Sequence, residues 1–418
     1  MKKEGFLRKE QMSSEQRELA MLLKNKRIEQ GRKLEDIASG ICSTSYLSRI
    51  ENNQVKLQDP YLRMLFEKLD INYDDLKKER QTNIFIELVK YQLLEQYDKY
   101  ASKIESIIKS KCYLGIERDL ILLYDNVLKG YDEETKFIID KLESSIDMLS
   151  NQEIAFYMYL ITVYYYQIQQ TNLAYQQIKI LIKTENDNEI LKWLIQDLYL
   201  TILFDVGEYE LYCKMYSDFI KGAPSMYFGK QFIKHKMKML TILAKYEYQI
   251  SVKKMEDLHQ NLDDKNSELL TEYAYYFAII KKNGKQAEEI IEKLCNGFLS
   301  TKIIKLLSIM LNEIEDKTQQ ELILKTINKF AFTKYDSIVK NLCHYSVMKQ
   351  KQMNNIWLLN YLKMNVYNLL KYSFDKVIFD FVIKEIIILG TKCSKYKETC
   401  RLAINYLEQV RSIGIVNH

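Results

Sequence analysis

The sequence predicts an all-α protein, and three observations carry this prediction. Only two prolines and twelve glycines occur in 418 residues, so long stretches lack the residues that interrupt helices. Leu, Ile, Tyr and Phe recur at helical spacing, and short polar turns separate these stretches. Hydrophobic residues make up 47% of the chain, which is enough for a sizeable core in two or three folded units.

The region from Leu19 to Leu76 contains three short helical patterns with turn signals between them. The third is predicted to run from Ser43 to about Asn53. The hydroxyl of Ser43 can cap this helix, because it can accept a hydrogen bond from a first-turn amide. Leu47 and Ile50 face inward. The outer face is then polar and consists of Thr44, Ser45, Ser48, Arg49 and Asn52.

Several features of this region occur in a familiar order: Arg27-x3-Gly31, the segment from Ser45 to Asn52, and Pro60 before a last apolar helix. The region resembles the helix-turn-helix of phage-repressor-type (XRE-type) regulators. The resemblance implies a five-helix domain whose third helix enters the major groove of DNA. It also implies a structural ion pair between Arg27 and Glu51, which joins the first and third helices.

Under this resemblance the third helix and its neighbours supply the DNA contacts. Arg49 can donate two hydrogen bonds to guanine O6 and N7, and short hydroxyls suit bases or phosphates. The alternative is that these residues form a solvated polar face. The predicted DNA-binding residues are Lys33, Ser43, Thr44, Ser45, Ser48, Arg49, Asn52, Asn53 and Lys56.

The region departs from the family pattern in two places. Arg32 stands where the family usually has an apolar residue, and Leu34 stands where it has a glutamine that commonly touches DNA. The turn between Ala38 and Glu51 is also one residue shorter than usual. These departures remove one expected contact and leave the register of Ser43 on DNA open.

Composition argues against several other classes of protein. The net charge is only +5, which does not by itself indicate nucleic-acid binding. Seven cysteines are scattered singly and four histidines form no cluster, so we expect a reducing compartment, no metal and no cofactor. The sequence contains no nucleophile elbow, P-loop or paired-carboxylate motif, and we therefore expect no catalytic residues and no enzyme.

The chain has no pattern that indicates a membrane segment. Its basic N-terminus lacks the apolar stretch of a signal peptide. The longest apolar candidate, Val377 to Leu389, is interrupted by Asp380, Lys384 and Glu385. We therefore expect a cytoplasmic protein without a membrane partner.

The predicted organisation is a lead-in over residues 1–12, the helix-turn-helix domain over 13–78 and a helical repeat domain over 79–418. In the last region a theme of helix, short turn and helix recurs with a period of 31–42 residues, which is typical of an α-solenoid. The segment from Gly284 to Leu294 keeps the spacing of a tetratricopeptide helix. The repeats are degenerate, so the prediction is a tetratricopeptide-like α-solenoid.

Such an array suits an extended peptide or a partner helix in its concave face. Asparagine can hold a peptide backbone, because its amide donates and accepts at once. Repeated Asn on a helix needs a reason, since Asn is a poor helix former. The alternative is a solvated polar face. The predicted peptide-binding residues are Asn341, Asn360, Tyr361, Asn365, Tyr367 and Asn368.

A helix-turn-helix followed by a tetratricopeptide-like array resembles the peptide-pheromone regulators of Gram-positive bacteria, the RRNPP family. The resemblance implies a homodimeric quorum-sensing transcription regulator whose partners are a double-stranded DNA operator and a short signalling peptide. Two alternatives stay open. The array is a scaffold for a partner protein, as in the Rap-type relatives, or the regulator needs no ligand.

Overall fold

The computed structural model contains helices throughout, and no strand occurs in the residues that it describes. These are residues 14–415 except 53, 56–57, 74–83, 110–115, 131, 144–145, 147–148, 150, 185–187, 222–228, 245–252, 259–266, 280–284, 298 and 371–372. The predicted all-α fold is confirmed.

Four helices form the N-terminal domain: α1 (Ser14–Glu29), α2 (Leu34–Ala38), α3 (Thr44–Glu51) and α4 (Asp59–Glu67). They pack around one apolar core, to which α1 contributes Leu19 and Leu23, α3 contributes Leu47 and α4 contributes Phe66. Pro60 lies in the first turn of α4 and not before the helix. In the first turn its missing N–H costs no helical hydrogen bond. The fifth helix that the resemblance implies stays a prediction, because residues 74–83 after α4 lie outside the described residues.

The helices of the remaining chain are first α5 (Ile84–Leu93), α6 (Tyr97–Lys109), α7 (Ile116–Lys129), α8 (Asp132–Glu143), α9 (Asn151–Gln167), α10 (Thr171–Leu181), α11 (Glu189–Val206), α12 (Tyr209–Lys221) and α13 (Gly229–Leu243). There follow α14 (Ser267–Ile279), α15 (Lys285–Asn296), α16 (Thr301–Met310), α17 (Lys317–Lys329), α18 (Ser337–Gln350), α19 (Asn355–Tyr361), a π-helix (Leu362–Tyr367), α20 (Asn368–Leu370), α21 (Lys376–Lys392) and α22 (Tyr396–Ile415). Residues 253–258 are also helical.

The chain divides into two compact units. The first contains residues 1–161 and 184–191, and the second contains residues 162–183 and 192–418. The predicted domain boundary at residues 78 and 79 lies outside the described residues and stays a prediction.

The second unit has the packing of a helical repeat array. Helices pair along the chain, α14 with α15, α16 with α17 and α18 with α19, and α14, α16 and α18 also pack on one another in sequence. The three helices begin at residues 267, 301 and 337, so the repeats are 34 and 36 residues long. The predicted period and the tetratricopeptide-like α-solenoid are confirmed.

Residues far apart in the sequence meet in this second unit. The side chain of Gln169 donates a hydrogen bond to Asp336 Oδ1 at 2.9 Å, and its backbone carbonyl accepts one from the hydroxyl of Ser373. Gly207 has a φ of +82°, and a Cβ at this position would lie 2.7 Å from Cγ of Lys376. Early and late repeats of the unit are therefore in direct contact.

The π-helix interrupts the helix that spans residues 355–370. Asn341, on α18, donates a hydrogen bond from Nδ2 to the backbone carbonyl of Asn365 at 2.8 Å, and its Oδ1 accepts one from the hydroxyl of Tyr361 at 3.4 Å. A π-helix leaves backbone groups out of the regular i to i−4 pattern. The amide of Asn341 donates to a carbonyl within this π-helix and thereby ties it to α18.

No helix in the described part of the chain is both long enough and apolar enough to span a membrane.

Candidate DNA-binding surface

The third helix presents a polar face at its N-terminal end. Ser43 is the N-cap, and its hydroxyl oxygen accepts a hydrogen bond from the backbone N–H of Tyr46 at 3.1 Å. Ser43, Thr44, Ser45 and Arg49 are exposed. The opposite face is fixed in the core by Leu47, Ile50 and Glu51, which are all buried. The exposed hydroxyls and guanidinium therefore stand on a helix that the core holds in place.

An ion pair locks α3 to α1. Arg27 Nε and Nη2 donate to the two carboxylate oxygens of Glu51, both at 2.7 Å, and Nη1 donates to the carbonyl of Arg32 at 3.0 Å. The hydrogen bond to Glu51 raises the pKa of Arg27, although burial opposes this shift. A bidentate pair of this kind fixes geometry as well as charge. The ion pair expected from the family resemblance is present.

The remaining predicted DNA contacts differ in their exposure and in their hydrogen-bond partners. Lys33 is exposed at the N-cap of α2, and Ser48 is half-buried. The exposed Asn52 already has partners, because its Nδ2 donates to the carbonyl of Ser48 at 2.9 Å and its Oδ1 accepts from Lys24 Nζ at 3.1 Å. The predicted contacts Asn53 and Lys56 lie outside the described residues. Phosphate binding by the amide of Asn52 would require a change in these hydrogen bonds.

The two departures from the family pattern serve the scaffold. Arg32 donates a hydrogen bond to the carbonyl of Lys68 at the end of α4 and lies 3.4 Å from the carboxylate of Asp70. Leu34 packs partly buried against the domain core. Gly40, with φ of +78°, allows the short turn between α2 and α3.

Lys24 and Lys68 have a structural role that local sequence pattern does not reveal. Lys24 reaches Asn52 from α1, and Lys68 Nζ donates to the carbonyls of Asp36 and Ser39 at the end of α2. A lysine that follows an apolar helix is a usual C-terminal residue, so the sequence contains little to separate this role from a solvated one. Both lysines tie neighbouring helices together beside the predicted DNA face.

The six predicted peptide-binding residues divide into internal and accessible ones. Asn341 and Asn365 are half-buried and hydrogen-bonded within the helix pair, and Tyr367 is 2% exposed. Asn368 is half-buried directly after the π-helix, Tyr361 is half-buried, and Asn360 is exposed. In this arrangement Asn341 and Asn365 have a structural role, and Asn360 and Tyr361 are the members that face solvent.

The interior of the second unit contains charged groups that no sequence motif indicates. Lys238 Nζ lies 3.3 Å from Glu272 Oε1, and Lys305 Nζ lies 2.7 Å from Asp375 Oδ2. Burial raises the pKa of Glu272, whose Oε2 has no hydrogen-bond partner in the described part of the chain. Burial also opposes the charge of Asp205, but the field of nearby lysines lowers its pKa.

A second cluster of polar side chains in this unit surrounds a buried histidine. His235 Nε2 lies 2.8 Å from Asp197 Oδ1, its Nδ1 lies 3.0 Å from the hydroxyl of Tyr212, and Lys234 Nζ lies 2.9 Å from the same Asp197 carboxylate oxygen. Burial lowers the pKa of His235 to about 4, against the opposing effect of Asp197. The histidine is therefore neutral at neutral pH and holds α11, α12 and α13 together through hydrogen bonds.

The α3 surface and its supporting ion pair define a helix-turn-helix domain of the DNA-binding type. The family model described as Helix-turn-helix matches residues 23–76. No curated protein sequence matches the chain.

Several solved structures match part of the chain at low identity. One is PlcR of Bacillus thuringiensis in complex with the peptide PapR7 and DNA, at 16% identity and a TM-score of 0.35 over 65% of this chain and 95% of that one. Another is the TPR domain of P58(IPK), at 14% identity and a TM-score of 0.24 over 81% of each chain. A third is the SHP pheromone receptor Rgg2 of Streptococcus dysgalactiae, at 14% identity and 0.19 over 79% of this chain and 99% of that one. At these TM-scores the likenesses carry no argument about the ligands of this chain.

Proposed function

We propose that the chain is a cytoplasmic, sequence-specific regulator that binds double-stranded DNA as a homodimer and responds to a short signalling peptide. The observation that carries the DNA part is the exposed face of α3, where Ser43, Thr44, Ser45 and Arg49 project from a helix locked by Arg27. The N-terminal residues of such a helix contact base edges in the major groove, and its dimer contacts half-sites ~34–36 Å apart.

The DNA part is tested by selecting binding sites for the full-length protein from a library of random-sequence duplexes. Arg49→Ala should lower affinity for the selected site by a factor of roughly 5 to 150, because a bidentate guanine contact contributes ~1–3 kcal/mol. Lys33→Ala should weaken binding to all duplexes alike and reduce the salt dependence. If Arg49→Ala keeps both the fold and the affinity, the assignment of α3 is wrong.

The peptide part has two supports. The first is the resemblance of the architecture to peptide-pheromone regulators. The second is the neighbouring pair of Asn360 and Tyr361 on α19, an exposed amide and a half-buried ring. A peptide changes DNA binding only if it binds one conformation of the array better than another.

A thermal-shift assay with the small-peptide fraction of the host's culture medium tests the peptide part. A ligand at 100 times its Kd stabilises the protein by ~2.7 kcal/mol. The shift should vanish after protease treatment of the fraction and shrink in an Asn360→Ala variant. No shift in a protein that binds DNA would contradict the peptide proposal and leave the DNA proposal intact.

A further inference from the structure

The helix over residues 355–370 has two apolar faces. One is buried in the second unit and includes Leu358, Leu359 and Leu362. The other is exposed: Ile356 is 52% and Met364 is 67% exposed, and they lie two helical turns apart. A surface helix normally needs only one apolar face, so the second is typical of a binding site.

Three rings continue this exposed face. Trp357 is 37% exposed and stacks on Tyr361 with ring centroids 5.1 Å apart, and His344 lies 5.0 Å from the same tyrosine ring. We call His344, Ile356, Trp357, Tyr361 and Met364 the aromatic surface. The stacked rings form a rigid centre, and the aliphatic side chains on either side can adapt to a partner.

The segment of the chain that carries the aromatic surface contains charges of one sign only. Residues 337–370 contain four lysines and no Asp or Glu. Lys349 and Lys363 form ion pairs with carboxylates on other helices, whereas Lys340 and Lys351 are exposed, and no carboxylate of the described residues lies within 4.0 Å of them. A partner that covers the aromatic surface therefore meets ammonium groups at its edge.

We propose that the aromatic surface binds an amphipathic α-helix of a partner protein, with carboxylates beside the apolar face of that helix. Ile356, Asn360 and Met364 are spaced four residues apart and are all exposed, so they offer a ridge against which a second helix can pack. The stacked rings of Trp357 and Tyr361 already cover one face of each other, so they offer less surface to unpaired bases than a nucleic-acid stacking platform does.

The proposal does not depend on DNA binding, and it assigns the surface at Asn360 and Tyr361 to a partner helix instead of an extended peptide. The test uses the full-length protein and a fluorescein-labelled synthetic helix that has one leucine face flanked by glutamates. Three further probes are compared: the same helix with lysines for glutamates, the acidic sequence with two internal prolines, and oligo(dT). Binding is followed by anisotropy and by tryptophan emission, in which the buried Trp193 contributes a constant background and Trp357 reports contact.

The acidic helix should bind and shift the tryptophan emission to the blue. Trp357→Ala should weaken binding roughly 30-fold, as expected for a central aromatic contact. Ile180→Ala, on α10 of the same unit, removes a side chain of similar exposure (56%) and should leave binding unchanged. Met364→Gln provides a second variant with little effect on the core, and circular dichroism verifies the fold of each variant.

Charge reversal tests the chemistry of the partner. Lys340→Glu combined with Lys351→Glu should weaken binding of the acidic helix and strengthen binding of the helix with lysines. The control Lys325→Glu, on the exposed face of α17, should change the binding of neither helix. Equal binding of acidic and basic helices, or no binding of any probe, would overturn the proposal.

Other molecules that could occupy the aromatic surface would give different results in these assays. Each of these results would also overturn the proposal. Equal binding of the proline-containing probe would indicate an extended peptide at Asn360 and Tyr361. Binding of oligo(dT) that Trp357→Ala abolishes would indicate a single-stranded nucleic acid. A dimer in sedimentation velocity that Trp357→Ala converts to monomer would indicate a second copy of this chain.

Discussion

Removal of Arg27 should loosen α3 without a change in any side chain of its exposed face. In an Arg27→Ala variant the carboxylate of Glu51, whose side chain is 3% exposed, would lose its cation. Breaking a buried pair in this way costs roughly 3–5 kcal/mol. Because Arg27 is itself 14% exposed and water screens part of the pair, we expect a cost of about 3 kcal/mol. This corresponds to about a hundredfold increase in the open population of α3.

Hydrogen exchange followed by mass spectrometry measures this opening in the full-length protein. Amides of α3 should exchange about a hundredfold faster in Arg27→Ala, and those of α16 should be unchanged. Arg63→Ala, on the exposed side of α4, is the control for loss of an arginine. Arg27→Met combined with Glu51→Met should recover much of the protection, since apolar replacement removes both charges. Unchanged exchange in α3 of the single variant would refute the role given to the ion pair.

Three further changes test other parts of the structure. Ser43→Ala removes the cap of α3 and should lower the stability of that helix by about 1 kcal/mol, measured by hydrogen exchange; a loss of DNA affinity without faster exchange would assign Ser43 a direct contact instead. His235 titrates near 6.5 when unfolded and near 4 when folded, so the stability from its neutral form is present above pH 6.5 and is lost as the pH falls to about 4. Urea unfolding should show this loss in the wild type and a flatter pH profile in His235→Gln, and equal profiles would contradict the assignment. Asn341→Leu removes the side-chain hydrogen bond to the carbonyl of Asn365 and should cost ~0.5–1.5 kcal/mol in thermal unfolding, whereas Asn360→Leu on the surface should cost little; equal effects would argue against a special role for Asn341.

The parts of the DNA-binding surface that depend on local pattern could be predicted from sequence. The capping hydroxyl of Ser43 and the inward positions Leu47 and Ile50 follow from helical spacing, and the structure places them as expected. The link between Arg27 and Glu51 followed from the family resemblance. Sequence spacing did not reveal that Asn52 is held by Lys24, because the two residues belong to different helices.

The helical repeats were less predictable for two physical reasons. The direction in which each side chain points after Leu362 depends on the π-helix. One extra residue in a turn rotates all following side chains by about 100° around the helix axis. Regular spacing therefore did not show that Tyr367 points into the core. Lysines such as Lys305 would be expected on a solvated face. Its burial is possible because Asp375, 70 residues away, and the hydroxyl of Tyr275, 30 residues away, both accept hydrogen bonds from its ammonium group.

The contacts between early and late repeats have a consequence for how the second unit comes apart. A solenoid in which each repeat touches only its neighbours behaves as a one-dimensional chain and can fray from either end. Here the hydrogen bonds of Gln169 to Asp336 and Ser373, and the close approach of Lys376 to Gly207, join segments that are 167 to 204 residues apart. Closing such long loops is entropically costly and slow, so these contacts should form late in folding. Loss of the last helices would then release the first ones, and the repeats should melt as one cooperative body.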